Sequence, residues 1–210
     1  TSCMETYTED AVVNMLNRLK PQQNSSATLL GNLAGQFLDE TIHGEQLSYA
    51  DSLTTFFSHN ALGIATCDEL SDREQSQQFH AAARRQQQLI GRLMGHDLPS
   101  AVAEFSRQQS LLEPSFFCET LGLQGRMDLL QPGLNLIVEQ KSGKGQWVPM
   151  GAAGYSQEVP VQREPHYAQL LLYRAMLQYG LGLPARGLTN LFLLYSRYQR
   201  GLLRLGASPT

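Results

Sequence analysis

Residues 122–141 read GLQGRMDLLQPGLNLIVEQK, and the rest of the chain is organised around them. Gln124 to Leu130 is short and mostly apolar, Gln131-Pro132-Gly133 is turn chemistry, and Leu134 to Lys141 is a second apolar run. Together they predict a β-hairpin. A turn centred near Gly133 sets Asp128 opposite Glu139 or one step from it. Side chains alternate along a strand, so Ile137, Glu139 and Lys141 share one face, while Leu136, Val138 and Gln140 share the other. The hairpin therefore brings Asp128, Glu139 and Lys141 onto one small patch. Like charges repel and buried charge must be compensated, so two carboxylates at the end of an apolar strand are costly to assemble. A divalent cation is the usual compensation, since Mg²⁺ is held by one or two carboxylates and keeps waters for a substrate phosphate.

A second landmark follows in residues 164–177, EPHYAQLLLYRAML. Pro165 in the first turn and Glu164 just before it suit a helix start. His166, Gln169 and Tyr173 are spaced i, i+3, i+7 and fall on one face, with Leu170, Leu171, Leu172 and Leu177 filling the rest against a sheet. So polar a stripe has two readings, a hydrogen-bonded core edge or the lining of a cleft. Gly180 to Pro184 ends the helix, Leu188 to Tyr195 reads as an apolar strand, and Leu202 to Leu205 as another.

Gly125-Arg126-Met127-Asp128, Glu139-Gln140-Lys141 and the later Gln169 and Tyr173 stand in the order found in one family. This region resembles the PD-(D/E)XK nuclease superfamily and, within it, the RecB-like branch that serves as the nuclease domain of helicase-nucleases. The likeness runs from Glu113 to Tyr195 and more weakly back to Leu30. It implies a restriction-endonuclease-like core, a mixed central sheet flanked by helices, with Mg²⁺ or Mn²⁺ held by Asp128, Glu139 and the backbone carbonyl of Gln140. It also implies Lys141 as the residue that orients or deprotonates water or stabilises charge, and Glu113 as a further candidate carboxylate. Gln169 and Tyr173 would line the cleft and contact DNA or the groups behind the site, with Arg126 and His166 as further candidates for substrate contact. DNA and a helicase domain or subunit are the implied partners. One departure stands out: where such nucleases often carry a metal-facing histidine, alignment on Gly31-Asn32 places Gly35, and His43, two turns on, reads as solvent-facing. Relatives that hold an iron–sulfur cluster use three clustered cysteines after the Gln-x-x-x-Tyr helix; none follows Tyr173, so no cluster is expected in this chain.

Composition sets the outer limits. The 210 residues fit one domain, 1–110 mostly helical and 111–210 carrying sheet and site, and the ends read as those of a piece of a longer protein. No stretch has the length or apolarity of a membrane span, no export leader is visible, and Cys3, Cys67 and Cys118 lack regular spacing, so a cytoplasmic, reducing location is expected. A net charge of −3 argues against strong non-specific nucleic-acid binding by the chain alone.

Before Glu113 the periodicity is helical: Thr8 to Leu19, Ala27 to Ile42, Ser48 to His59, Ser71 to Gly95, and a short helix from Ser100 through Gln108. His59, His80 and His96 lack the spacing of a zinc site. Arg84, Arg85 and Arg92 read as a solvated helix face. From Glu113 the pattern is that of strands, with Phe116–Leu121, Gln124–Leu130 and Leu134–Lys141 predicting an antiparallel meander. Residues 143–163 read as a loop, in which Trp147 and Tyr155 either stack on bases or pin the loop to the core. The main rival function is a nuclease-like fold retained without catalysis, as a structural or single-strand-binding module of a helicase complex.

Overall fold

The computed structural model describes Leu16 and residues 24–44, 47–143, 146–147, 160–161, 163–182 and 190–205. The N-terminal half is helical: α1 (Ser26–His43), α2 (Tyr49–Ala65), the single turn α3 (Asp68–Ser71) and α4 (Arg73–Arg92). Three of them start where a short polar side chain caps the free N–H groups. Ser25 accepts from Thr28 N, Ser48 from Asp51 N and Asp72 from Gln75 N. Helix α4 does not stop at Asp97. It passes through a π turn (Leu93–Asp97) into α5 (Leu98–Ala101), and the Ser100 hydroxyl donates back to the His96 carbonyl. The predicted helix from Ser100 to Gln108 is therefore absent, and only a 3₁₀ turn forms at Arg107–Gln109.

The sheet contains β1 (Leu111–Leu112), β4 (Leu129–Gln131), β5 (Leu136–Lys141), β8 (Asn190–Tyr195) and β9 (Leu202–Leu205), in the order β1-β4-β5-β8-β9. The β5–β8 pair is parallel and its neighbours are antiparallel, so the sheet is mixed. A separate ladder joins β2 (Ser115–Cys118) to β3 (Leu123–Arg126), and a short one joins β6 (Gln146–Trp147) to β7 (Pro160–Val161). The crossover from β5 to β8 carries α6 (Glu164–Leu181), which ends at Gly182 in the left-handed conformation.

This corrects the predicted meander. Gln124–Leu130 is not one strand: β3 ends at Arg126 and β4 begins at Leu129. The β1–β2 and β3–β4 segments form one ribbon bent in the middle. Glu113 adopts φ 47° ahead of Pro114, while Met127 N to Pro114 O and Glu113 N to Asp128 O, each 3.1 Å, carry the ladder around the bend. The outer half leaves the sheet to lie against α6.

Both faces of the sheet are covered, which is why β5 and β8 read as continuous apolar runs. Leu136, Val138, Phe192 and Leu194 pack with α1, α4 and the π turn. Ile137, Leu191, Leu193 and Tyr195 pack with Leu170, Tyr173, Met176 and Leu177 of α6. Leu171, expected inward, is on the exposed side of α6. Residues 143–163, expected as loop, contain the β6–β7 ladder. The predicted Thr8–Leu19 helix (Leu16 apart), Tyr155 and the side chain of Trp147 lie outside the described residues. Cys67 and Cys118 are buried free thiols. Among the described residues no helix is long and apolar enough to cross a membrane.

Candidate active site

The β4–β5 register pairs Leu129 with Val138, which puts Asp128 one step further along, facing Glu139. In the parallel ladder Glu139 pairs with Leu193 and Lys141 with Tyr195. Glu139, Lys141 and Tyr195 thus share the α6 face, while Gln140 turns the other way and donates through Nε2 to the Ala34 carbonyl of α1 at 3.0 Å. The bend at Met127-Asp128 leaves Asp128 out of the flat ladder, and its Oδ2 accepts from the Gln140 backbone N–H at 2.6 Å.

Beneath the carboxylates lies a closed chain of hydrogen bonds. Gln169 Oε1 accepts from Lys141 Nζ at 2.8 Å, and Gln169 Nε2 donates to Glu139 Oε1 at 2.6 Å and to Tyr173 Oη at 2.9 Å. Lys141 Nζ also donates to Glu139 Oε1 at 2.9 Å, and the Tyr173 hydroxyl donates to the Arg126 carbonyl at 2.6 Å. An amide NH₂ has two hydrogens, and both are taken. Gln169 and Tyr173 are buried and do not line the cleft. Of the two expectations for them, contact with DNA or with groups behind the site, the observed bonds are of the second kind.

Glu139 is 3 % exposed, and its Oε2 is buried with no hydrogen-bond partner among the described residues. Burial first, then the charge of Asp128, push its carboxyl up to about 7, against smaller opposing pulls from Lys141 and the Asp128 backbone N–H. Asp128 is raised as well, by burial above all, with Glu113 adding to the rise and the Gln140 N–H and Lys141 opposing it.

The cleft in front of these groups measures about 610 Å³. The bent ribbon contributes Glu113, Arg126 and Asp128, the end of β5 contributes Gln140 and Lys141, and the α6 side contributes Arg163 and His166. Glu113 is half exposed and pairs with Arg126 at 3.1 Å, at the rim. The opposite wall is α1 and α2, including Gly35, Asp39, His59 and Asn60. A side chain at Gly35 would meet open space, since no atom lies within 4 Å of a Cβ built there. His43 is exposed, bonds the Asp39 carbonyl at 2.9 Å and stays out of the cleft, as expected.

No family model, curated protein or solved structure matches the chain.

Asp39 was not anticipated from sequence. It is one turn beyond Gly35 on the same helix face, and that i, i+4 spacing is the signal that could have found it. Burial, then the charge of Glu113, raise its carboxyl to about 6, with Asp128 and Glu40 adding to the rise and His43 opposing it. Arg163 and Tyr195 were also missed; the Tyr195 hydroxyl accepts from the Arg163 backbone N–H at 3.1 Å and meets His166 Nδ1 at 2.8 Å.

Among the described residues, no three His, Cys, Asp or Glu side chains are grouped as a ready metal site. The fit to a hard cation rests on the Asp128–Glu139 pair: a half-buried and a buried carboxylate, each raised by burial, and one buried oxygen, Glu139 Oε2, that has no hydrogen-bond partner among the described residues. That donor set suits an ion that takes one or two carboxylates and completes its shell with water.

Proposed function

We propose that the chain is a Mg²⁺- or Mn²⁺-dependent nuclease domain on a restriction-endonuclease-like core, hydrolysing DNA phosphodiesters as the end-processing module of a helicase-nuclease. The observation that carries this reading is the Asp128–Glu139 pair at the end of β5, with Glu139 Oε2 buried beside Lys141 and unpartnered among the described residues. Asp128, Glu139 and the Gln140 carbonyl would hold the ion, which when bound lowers the pKa of a water and offsets the charge that develops on the phosphate.

The protein's own groups do the positioning. Lys141 has three N–H donors; two are bound to Glu139 and Gln169, which leaves one for a water or a phosphate oxygen in the cleft. Gln169 holds Lys141 and Glu139 at fixed separation, and Tyr173 holds Gln169 against the ribbon. Arg126 and Arg163 place positive charge where a strand backbone would lie.

A second reading, a nuclease-like module without catalysis, draws on one observation: Lys141 and Gln169 already satisfy one oxygen of Glu139 without a cation. Labelled single- and double-stranded DNA incubated with Mg²⁺, Mn²⁺ or EDTA separates the two. Cation-dependent cleavage that disappears in Asp128→Ala and in Glu139→Ala is expected. Binding without cleavage under every condition would favour the second reading.

A further inference from the structure

Tyr195 is wholly buried at 0 % exposure, and its ring lies 5.7 Å from that of His166. A phenol has one hydrogen to give and two lone pairs to receive with. One lone pair takes the Arg163 backbone N–H at 3.1 Å, and the other group in reach is His166 Nδ1 at 2.8 Å. This hydroxyl forms no further bond among the described residues. If Nδ1 carried a proton, the tyrosine hydrogen would be stranded in the core and would forfeit its solvation with nothing in return. The hydrogen therefore goes from Tyr195 to Nδ1, and the ring keeps its own proton on Nε2. His166 is among the residues that line the cleft, and its ring makes no second hydrogen bond among the described residues.

We infer that Tyr195 fixes His166 in the Nε2–H tautomer, so that this histidine offers the cleft a neutral N–H donor for an oxyanion and no lone pair for a metal. The identification of that oxyanion as a phosphodiester oxygen rests on the nuclease reading; the tautomer does not. The neighbours agree with the assignment. Lys141 and Arg163 share the cleft with His166, so an anion between them meets three donors. Burial, then those two cations, hold His166 down to about 4, and the ring is neutral at ordinary pH. His166 would touch substrate, whereas Tyr195 is a positioning residue acting through it.

The test needs no active enzyme at its first step. Long-range ¹H–¹⁵N spectra of the labelled full chain report the tautomer of each of its five histidines, and His166→Gln assigns the signal. A neutral Nε2–H pattern for His166 is expected, moving toward a mixture of tautomers in Tyr195→Phe, which keeps the ring and loses the hydroxyl. An Nδ1–H pattern in the native chain overturns the inference. Bis(p-nitrophenyl) phosphate, a simple phosphodiester, then probes the donor. Its addition should shift the Nε2 signal, and His166→Ala should weaken its binding about tenfold, the worth of one hydrogen bond to an anion. His166→Gln, which returns an N–H near the same place, should recover most of that loss. Equal loss in both variants, or lowered Mn²⁺ affinity in His166→Ala, overturns the donor role. A correct tautomer in a chain that cleaves no DNA would leave Tyr195 and His166 as assigned and reject the nuclease reading alone.

Discussion

Gln169 donates to Oε1 of Glu139 at 2.6 Å, while Oε2 of the same carboxylate is buried with no partner among the described residues. The carboxyl is thus half satisfied, and its pKa stands at about 7 against an ordinary 4.5. A raised folded-state value means that the native state holds this proton more tightly than the unfolded chain. The resulting stability is present below 4.5 and is lost as pH rises through about 7. Without divalent cation, the melting temperature should therefore fall between about pH 5 and about pH 8, and fall less in Glu139→Gln, whose amide does not titrate. Added Mg²⁺ or Mn²⁺ should restore the wild type at the upper pH and change little at the lower. Parallel pH profiles for wild type and variant would show that Glu139 is not the group responsible.

Lys141 sits between Glu139 and Gln169 with about a fifth of its side chain exposed. Arginine keeps the charge but replaces a compact ammonium by a planar fork that the Glu139–Gln169 gap does not match. Lys141→Arg should lose activity by roughly two orders of magnitude, the scale seen when one charge-stabilising donor is misplaced. Metal-induced stabilisation should persist, because the carboxylates are untouched. Single-turnover cleavage at wild-type rate would make Lys141 a bystander.

Gln169 and Tyr173 hold other residues and do not reach the cleft, and this has a kinetic signature. Gln169→Ala frees Lys141 and Glu139 together, so kcat should fall while KM for DNA stays within about twofold, since no uniform binding contact is lost. Tyr173→Phe removes the bond to the Arg126 carbonyl and one support of Gln169. It should cost about 1–3 kcal/mol of stability, visible as a lower melting temperature. A rise in KM with kcat unchanged would place either side chain against the substrate after all.

Asp39 faces Glu113 and Asp128 from the far wall, with its carboxyl raised to about 6. By the same sign rule its protonated form favours folding, and the benefit fades as pH rises past that value. Asp39→Asn should make the cation-free chain more stable near neutral pH. It should also lower Mn²⁺ affinity, measured by calorimetry, if the ion feels this charge. An unchanged affinity would confine the cation to the Asp128–Glu139 side.

Much of this arrangement could be read from the sequence because it is local. The turn at residues 131–136 fixed the facing of Asp128 and Glu139, strand alternation put Glu139 and Lys141 on one side, and helical spacing gathered His166, Gln169 and Tyr173. What escaped depends on contacts between distant segments. The bend at Glu113 needs a left-handed residue before a proline and a matching break at Met127-Asp128, and neither half announces it alone. Asp39 looks like any solvated helix residue until α1 packs over the end of β5, where Gly31 would bring a Cβ to 3.3 Å from Ser142 Oγ. Tyr195 reads as the apolar end of a strand, and only the parallel β5–β8 register delivers its hydroxyl to His166.

At Gly125 the ribbon meets α6. A Cβ built there would stand 2.7 Å from Tyr173 Cε1 and 3.4 Å from Met176 Sδ, so glycine is what lets β3 approach the ring closely. The ring cannot swing away freely, because its hydroxyl is bonded to the Arg126 carbonyl one residue along the same strand and to Gln169. Gly125→Ala must therefore push β3 off the helix or drag Tyr173 with it. Overpacking of this kind costs about 1–3 kcal/mol. If Tyr173 moves, Gln169 loses its support, and cleavage should fall by more than the loss of folded protein explains. The double variant Gly125→Ala, Tyr173→Leu removes the clash as well as the hydroxyl. It should melt higher than Gly125→Ala alone while remaining poorly active. Additive losses in the double variant would show that the two positions do not press on each other, and the close approach would then not be what holds the site in place.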